Sequence, residues 1–215
     1  MSLRAATLAE VASVISSILM ALWIVVPLYP DSRTILIVPG LFALGFVLYS
    51  QSVRGETPED LGLTARYFGK ALLLLAIPTA IAVILFGGIA AATNTLRLEG
   101  AAWYKIVSVP MWGVLQQFLL QAFLFRRIRS LVGSDRAAIV GAATIFALVH
   151  LPNVPLTLLT LAGGIVWTWI YSRAPNLYAL GISHGLMSLL VMTTLPKQIL
   201  PTLSVGYKYF LSQNY

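Results

Sequence analysis

Residues 71–93 read ALLLLAIPTAIAVILFGGIAAAT, an uncharged apolar run longer than the roughly 20 residues that carry a helix across a hydrocarbon core. A helix apolar on every face needs either the interior of a large protein or lipid around it. The rest of the chain excludes the first option. Glu10–Tyr29, Tyr104–Phe125 and Leu177–Leu195 are apolar runs of similar length. The 215-residue chain is 59% hydrophobic and only 10% charged, against about 25% charged residues in soluble domains, and its mean hydropathy is +0.87. These features predict an all-α, polytopic integral membrane bundle, a single membrane domain over residues 1–215, with the lipid bilayer as its obligatory partner.

Shorter helices are predicted at Thr34–Ser50, Ala137–Leu151 and Pro155–Tyr171. Ile199–Leu211 is ambiguous because Pro201 and Gly206 interrupt it. The expectation is therefore seven or eight transmembrane helices. Pro39, Pro78 and Pro110 fall inside three of them, where each removes a backbone donor and predicts a kink. Arg4 followed by an apolar stretch resembles the start of a secretory signal. That stretch is too long, however, and Pro27-Leu-Tyr-Pro30 offers no small-residue cleavage site, so it reads as a first membrane helix.

The chain has no cysteine, which removes disulfides, thiolate nucleophiles and cysteine-ligated metal sites. Its net charge of +7 would suggest nucleic acid in a soluble protein, but here the basic residues fall in short loops, so no nucleic-acid partner is expected. With loops on alternating sides, Arg4, Arg54, Arg66, Lys70, Arg126, Arg127, Arg129, Arg136 and Arg173 share the N-terminal side. Arg33, Arg97, Lys105 and Lys197 lie opposite. The positive-inside rule then puts the N-terminus in the cytoplasm, and the expected location is a bacterial inner membrane.

Every carboxylate, from Glu10, Asp31, Glu56, Glu59 and Asp60 to Glu99 and Asp135, reads as lying in a loop or at a helix end. What remains at membrane depth is a small polar set: Gln116, Gln117 and Gln121, then His150, then Ser183, His184 and Ser188. Counted from the cytoplasmic ends at about 1.5 Å per residue, Gln117 lies roughly 13 Å deep, His184 roughly 12 Å and His150 roughly 20 Å. Four-residue spacing puts Gln117 with Gln121, Phe146 with His150, and His184 with Ser188 on common faces. Such residues often do no more than hydrogen-bond across helices, and Gly181-x-x-x-Gly185 reads first as a close packing face.

Three of these segments resemble the membrane proteases named for CAAX and bacteriocin processing, the CPBP family. That family's signature is Glu-Glu-x-x-x-Arg, then Phe-x-x-x-His, then His-x-x-x-Asn. The chain has Gln116-Gln117-Phe-Leu-Leu-Gln121, Phe146-Ala-Leu-Val-His150 and His184-Gly-Leu-Met-Ser188 in that order. Pro58-Glu-Asp-Leu-Gly-Leu63, Phe123-Leu-Phe-Arg126 and His150-Leu-Pro-Asn153 are similar to the same family, so the resemblance covers about residues 60–215.

The resemblance implies an intramembrane peptide hydrolase whose catalytic set would be Gln116, Gln117, Gln121, Phe146, His150, His184 and Ser188. Gln116 stands where the family's general-base glutamate would be, and an amide cannot take up a proton. General-base catalysis is typically worth 10²–10⁴-fold. The leading expectation is thus an impaired relative, a pseudoenzyme, that binds a membrane peptide, a prenylated substrate or a partner subunit in a polar intramembrane cavity. The alternative is an active endopeptidase using His150 or His184 as base. Two weaker readings remain. Gly181-Ile-Ser183-His184-Gly185 matches the G-x-S-x-G pattern of serine hydrolases, which demands a strand-to-helix turn. His150 and His184 could ligate a divalent metal or haem, although no cofactor is required and catalytic zinc normally takes three protein ligands.

Overall fold

The computed structural model describes residues 2–30, 32–97 and 103–213. Among these residues the chain forms eight helical rods. Helix α1 is Leu3–Leu28, with a π-helical turn at Ala21–Val25, and α2 is Arg33–Val53. Helix α3 is Phe68–Thr93. Helix α4 runs in three consecutive stretches, α-helical Trp103–Gln117, π-helical Phe118–Phe125 and α-helical Arg126–Val132. Then come α5 Asp135–Leu148, α6 Val154–Arg173, α7 Leu177–Thr194 and the short α8 Tyr207–Leu211.

The helices begin where side chains can accept the first free backbone N–H groups. Ser2, Ser32, Ser134, Asn153 and Asn176 cap α1, α2, α5, α6 and α7 in this way. Two of the caps also act at long range. Asn176 Nδ2 donates to Thr64 O at 2.6 Å and Arg66 O at 3.0 Å, and Asn153 Nδ2 donates to Thr202 O at 2.8 Å and Ser204 O at 3.2 Å. Each buried asparagine therefore starts a helix and fastens a loop to it.

Five rods, α1, α3, α4 from Val107, α6 and α7, are long and apolar enough to cross a membrane. The all-α bundle expected from the sequence is present, but the count of spanning lengths is lower. Helix α2 contributes the shorter apolar stretch Ile37–Val53, and α5 has 14 residues, about 21 Å at 1.5 Å per residue. The ambiguous Ile199–Leu211 is mostly loop, helical only over the five residues of α8. The apolar outside of the bundle identifies its solvent: on α3 alone, Leu73, Ile77 and Ile84 are 75%, 72% and 75% exposed, a stripe suited to lipid and not to water.

The structure overturns two sequence expectations. The Arg126–Arg136 loop shrinks to Gly133-Ser134, because α4 continues through Arg126, Arg127 and Arg129 to Val132. Glu10 is not at a helix end but in the body of α1. The two changes have one cause. Arg127, 2% exposed, reaches Glu10 Oε2 at 2.9 Å and Glu56 Oε2 at 2.9 Å, while Arg54 binds Glu10 and Arg126 binds Glu56. Asp31 and Glu99 lie outside the described residues.

Helix α7 organises the rest, packing most extensively on α4 and next on α3. The α4–α7 contact runs through small residues, as Gly181-x-x-x-Gly185 predicted. A Cβ at Gly113 would lie 2.6 Å from Gly181 O, and one at Gly185 would run into the Pro110 backbone. Pro39, Pro78 and Pro110 all lie inside helices, as expected. At the far end Arg97 closes α7, donating to Leu195 O at 2.5 Å and Met192 O at 3.2 Å, where free helix carbonyls favour a cation.

Candidate functional site

The close α4–α7 approach sets the site's geometry. Pro110, Gly113 and Gln117 follow one another at helical spacing, so the face that docks on α7 carries Gln117 inward with it. Immediately afterwards α4 turns π-helical, a geometry found mostly as single-turn interruptions and frequently at functional positions. Gln51 on α2 donates to Ala122 O within this stretch at 3.2 Å.

Gln117 and Gln121 are both 0% exposed, and buried amides in lipid must find partners. Gln121 Nε2 donates to Gln117 Oε1 at 2.9 Å and to Thr168 Oγ1 on α6 at 3.2 Å. Gln117 Nε2 lies 3.1 Å from His184 Nδ1 on α7. The result is one polar chain, Thr168–Gln121–Gln117–His184, crossing three helices. His184 stacks on Trp167 of α6, with ring centroids 4.5 Å apart and an 18° interplanar angle. Trp167 Nε1 in turn donates to Ser183 Oγ at 3.2 Å.

Phe146, on α5, meets both imidazoles edge to face, at 6.0 Å from His184 and 4.8 Å from His150. His150 sits in the turn after α5 and holds Phe146 O through Nδ1 at 2.7 Å. The structure thus gathers Gln117, Gln121, Phe146, His150 and His184. Gln116 stands apart, half-buried and without a side-chain hydrogen bond among the described residues. Ser188, one turn beyond His184, lies on the wall of a cavity.

That cavity, about 380 Å³, lies between α3, α6 and α7, within the range of small-molecule sites. Its polar lining consists of Thr79, Thr160, Ser183, His184 and Ser188, and the remainder is apolar, with Leu75, Leu159 and Met187 among its walls. The sequence suggested a polar cavity. It is mainly apolar because Gln117 and Gln121 bond to each other, to Thr168 and to His184, and do not face it.

The serine-hydrolase pattern lacks its required context: Ser183 lies inside helix α7, not on a strand-to-helix turn, and accepts the Trp167 indole. Among the described residues no group of three or more His, Cys, Asp or Glu side chains gathers.

The family model described as type II CAAX prenyl endopeptidase Rce1-like matches residues 98–190. Over this segment the chain is similar to the CAAX-protease (CPBP) family. The matched segment takes in every residue of the polar chain, both histidines and Ser188. No curated protein and no solved structure matched the chain.

Sequence reasoning missed two residues of this cluster, Trp167 and Thr168, although a signal was present. Leu156, Thr160, Gly164, Trp167, Thr168 and Tyr171 recur at helical spacing and form the buried face of α6.

Proposed function

We propose that the protein is a non-cleaving relative of the CAAX proteases, an integral membrane protein that binds the apolar chain of a membrane ligand, a prenylated peptide in the first instance, in the cavity between α3, α6 and α7. One observation carries this reading: the hydrogen bond between Gln117 and His184. In a site of this plan a carboxylate would draw a proton from water. Here Gln116, in the place of the family's general base, and Gln117, against the imidazole, are both amides, and an amide is no base. Two carboxylates close to α4, Glu56 and Asp135, are held in ion pairs with Arg126, Arg127 and Arg129. The apolar wall supports the choice of ligand, since a prenyl chain is better matched to it than a polar peptide.

The test pairs a cleavage assay with photo-crosslinking. A prenylated CAAX-type peptide bearing a benzophenone on its chain is expected to label α3 or α7 at the cavity wall and to be recovered intact. Robust hydrolysis lost in both His150→Ala and His184→Ala would overturn the reading in favour of an active endopeptidase.

We further propose a bacterial inner-membrane location with the N-terminus in the cytoplasm. The contacts support one shared end for the N-terminal loops: Arg126 and Arg127 meet Glu56, and Asn176 meets Thr64 and Arg66. The basic bias of that end points inward. In this naturally Cys-free chain, Ser130→Cys is expected to react with a membrane-impermeant thiol reagent only after the cytoplasmic face is opened. Labelling of intact spheroplasts would reverse the orientation.

A further inference from the structure

The two histidines differ in what their Nδ1 atoms meet. Phe146 O, 2.7 Å from His150 Nδ1, can only accept a hydrogen bond, so that nitrogen carries the proton and neutral His150 keeps its lone pair on Nε2. His184 Nδ1 faces a side-chain amide, which can present either its oxygen or its N–H groups. The choice at Gln117 is tied to the choice at Gln121, because the two amides are bonded to each other. Turning one alone would set oxygen against oxygen or nitrogen against nitrogen.

Only two orientations of the chain are therefore consistent. In the first, Gln121 donates to Gln117 Oε1 and Thr168 Oγ1, and Gln117 donates to His184 Nδ1. This leaves one buried acceptor, Gln121 Oε1, without a partner. In the second, both amides are reversed, and the unpartnered position holds the NH₂ of Gln121, with two buried donors stranded. Orphaned buried N–H groups are rarer than under-satisfied oxygens. The first orientation wins, and in it His184 Nδ1 accepts.

We propose that Gln117 and Gln121 hold His184 as its Nε2–H tautomer, so that the imidazole offers the cavity a fixed donor for the uncharged carbonyl oxygen of a lipid-tailed ester or amide. His184 lines the cavity, and no hydrogen bond to its Nε2 occurs among the described residues. The ring's only lone pair is buried against Gln117, so what meets a ligand is a donor and not a base. Gln117 and Gln121 act through His184 and are positioning residues. The inference rests on the binding reading above, and gives it a reason: the imidazole that lines the cavity grips a carbonyl as a donor and has no lone pair left to act as its base.

The test is nitrogen-detected imidazole NMR of the full chain, labelled at histidine, in detergent micelles. The wild type is expected to show one ring of each tautomer, His150 as Nδ1–H and His184 as Nε2–H. Two Nδ1–H rings, or a His184 averaged between tautomers, would overturn the inference. Gln117→Leu should release His184 to an averaged shift while His150 stays unchanged; a His184 pattern indifferent to this change would also overturn it. The wild-type spectrum decides the matter even where that variant fails to fold. Methyl palmitate is expected to move the His184 Nε2–H proton downfield, and hexadecane to leave it in place. No shift with the ester, or an equal shift with the alkane, counts against a carbonyl-directed donor. Hydrolysis of the CAAX-type peptide would sink the binding reading through its products, whereas the present inference fails on the spectrum.

Discussion

At the scale of single residues, the pair that matters most is Gln117 and His184. Removing either leaves the other buried in an apolar bundle without its partner, and the two side chains belong to different helices. In membrane proteins such interhelical bonds average only about 0.6 kcal/mol, with maxima near 1.7. Thermal unfolding in detergent of Gln117→Ala, His184→Ala and the double variant is therefore expected to show a coupling of about 0.6 kcal/mol or somewhat more. Additive losses would mean that the two do not interact in solution. His150→Ala should cost less than His184→Ala, because the bond it loses is local, to Phe146 O four residues away. The sequence made this pair partly legible. Depth counting put Gln117 and His184 within about 1 Å of the same level, and the structure joins them. The sequence reading gave the general-base position to Gln116, whereas the amide that meets His184 is Gln117, whose side chain points about 100° away from that of Gln116 on a helix. What decides is the Pro110–Gly113 face that docks on α7.

At the scale of elements, the α4–α7 seam is the contact on which the site depends, because it brings Gln117 to His184. The seam tolerates no added side chain. A methyl at Gly185 would collide with backbone atoms of Pro110, which cannot rotate away, so Gly185→Ala is expected to destabilise by about 1–3 kcal/mol, the usual cost of overpacking. Gly88, on α3, supplies the control, since a Cβ there meets nothing within 4 Å. Gly88→Ala should be neutral or stabilising by up to about 1 kcal/mol from helix propensity alone. Melting both variants in detergent checks the contrast, and equal behaviour would mean that the seam is not close-packed. Helices such as α3 and α7 were legible from hydrophobic length, because lipid imposes that length. The end of α4 was not. Arg126, Arg127 and Arg129 look like a loop by charge, and what keeps them helical is pairing with Asp135 nearby and with carboxylates 70, 71 and 117 residues distant. Local pattern carries no trace of partners so far away. The π-helical stretch Phe118–Phe125 was equally hidden, its sequence being as apolar as any ordinary turn.

At the scale of the whole molecule, the ionic cluster at the N-terminal end joins α1, α2, the following loop and α4, while the site lies deeper between α4, α6 and α7. Glu56 is its hinge, accepting from Arg126 Nη2 at 2.8 Å and from Arg127 Nη2 at 2.9 Å. Burial alone pushes this carboxyl up, but the hydrogen bonds and charges of Arg127 and Arg126 outweigh it and hold it below its ordinary value. The sign of the linkage follows. A group whose folded pKa is depressed stabilises the fold above its unfolded pKa, about 4.3 for glutamate. That contribution is lost as the pH falls through the folded pKa. The contribution of Glu56 should thus stay level from neutral pH down to about pH 5, where both of its states are still ionised, and be lost progressively below it. Glu56→Gln should melt lower than wild type at neutral pH, because the amide leaves Arg126 and Arg127 short of a charge, and the gap between the two proteins should narrow as the pH falls below about 4. Melting curves in a pH-insensitive detergent measure this directly. A gap that stays constant down to pH 3 would mean that Glu56 has the same proton affinity folded and unfolded, and that the cluster holds the helix ends by shape and not by charge.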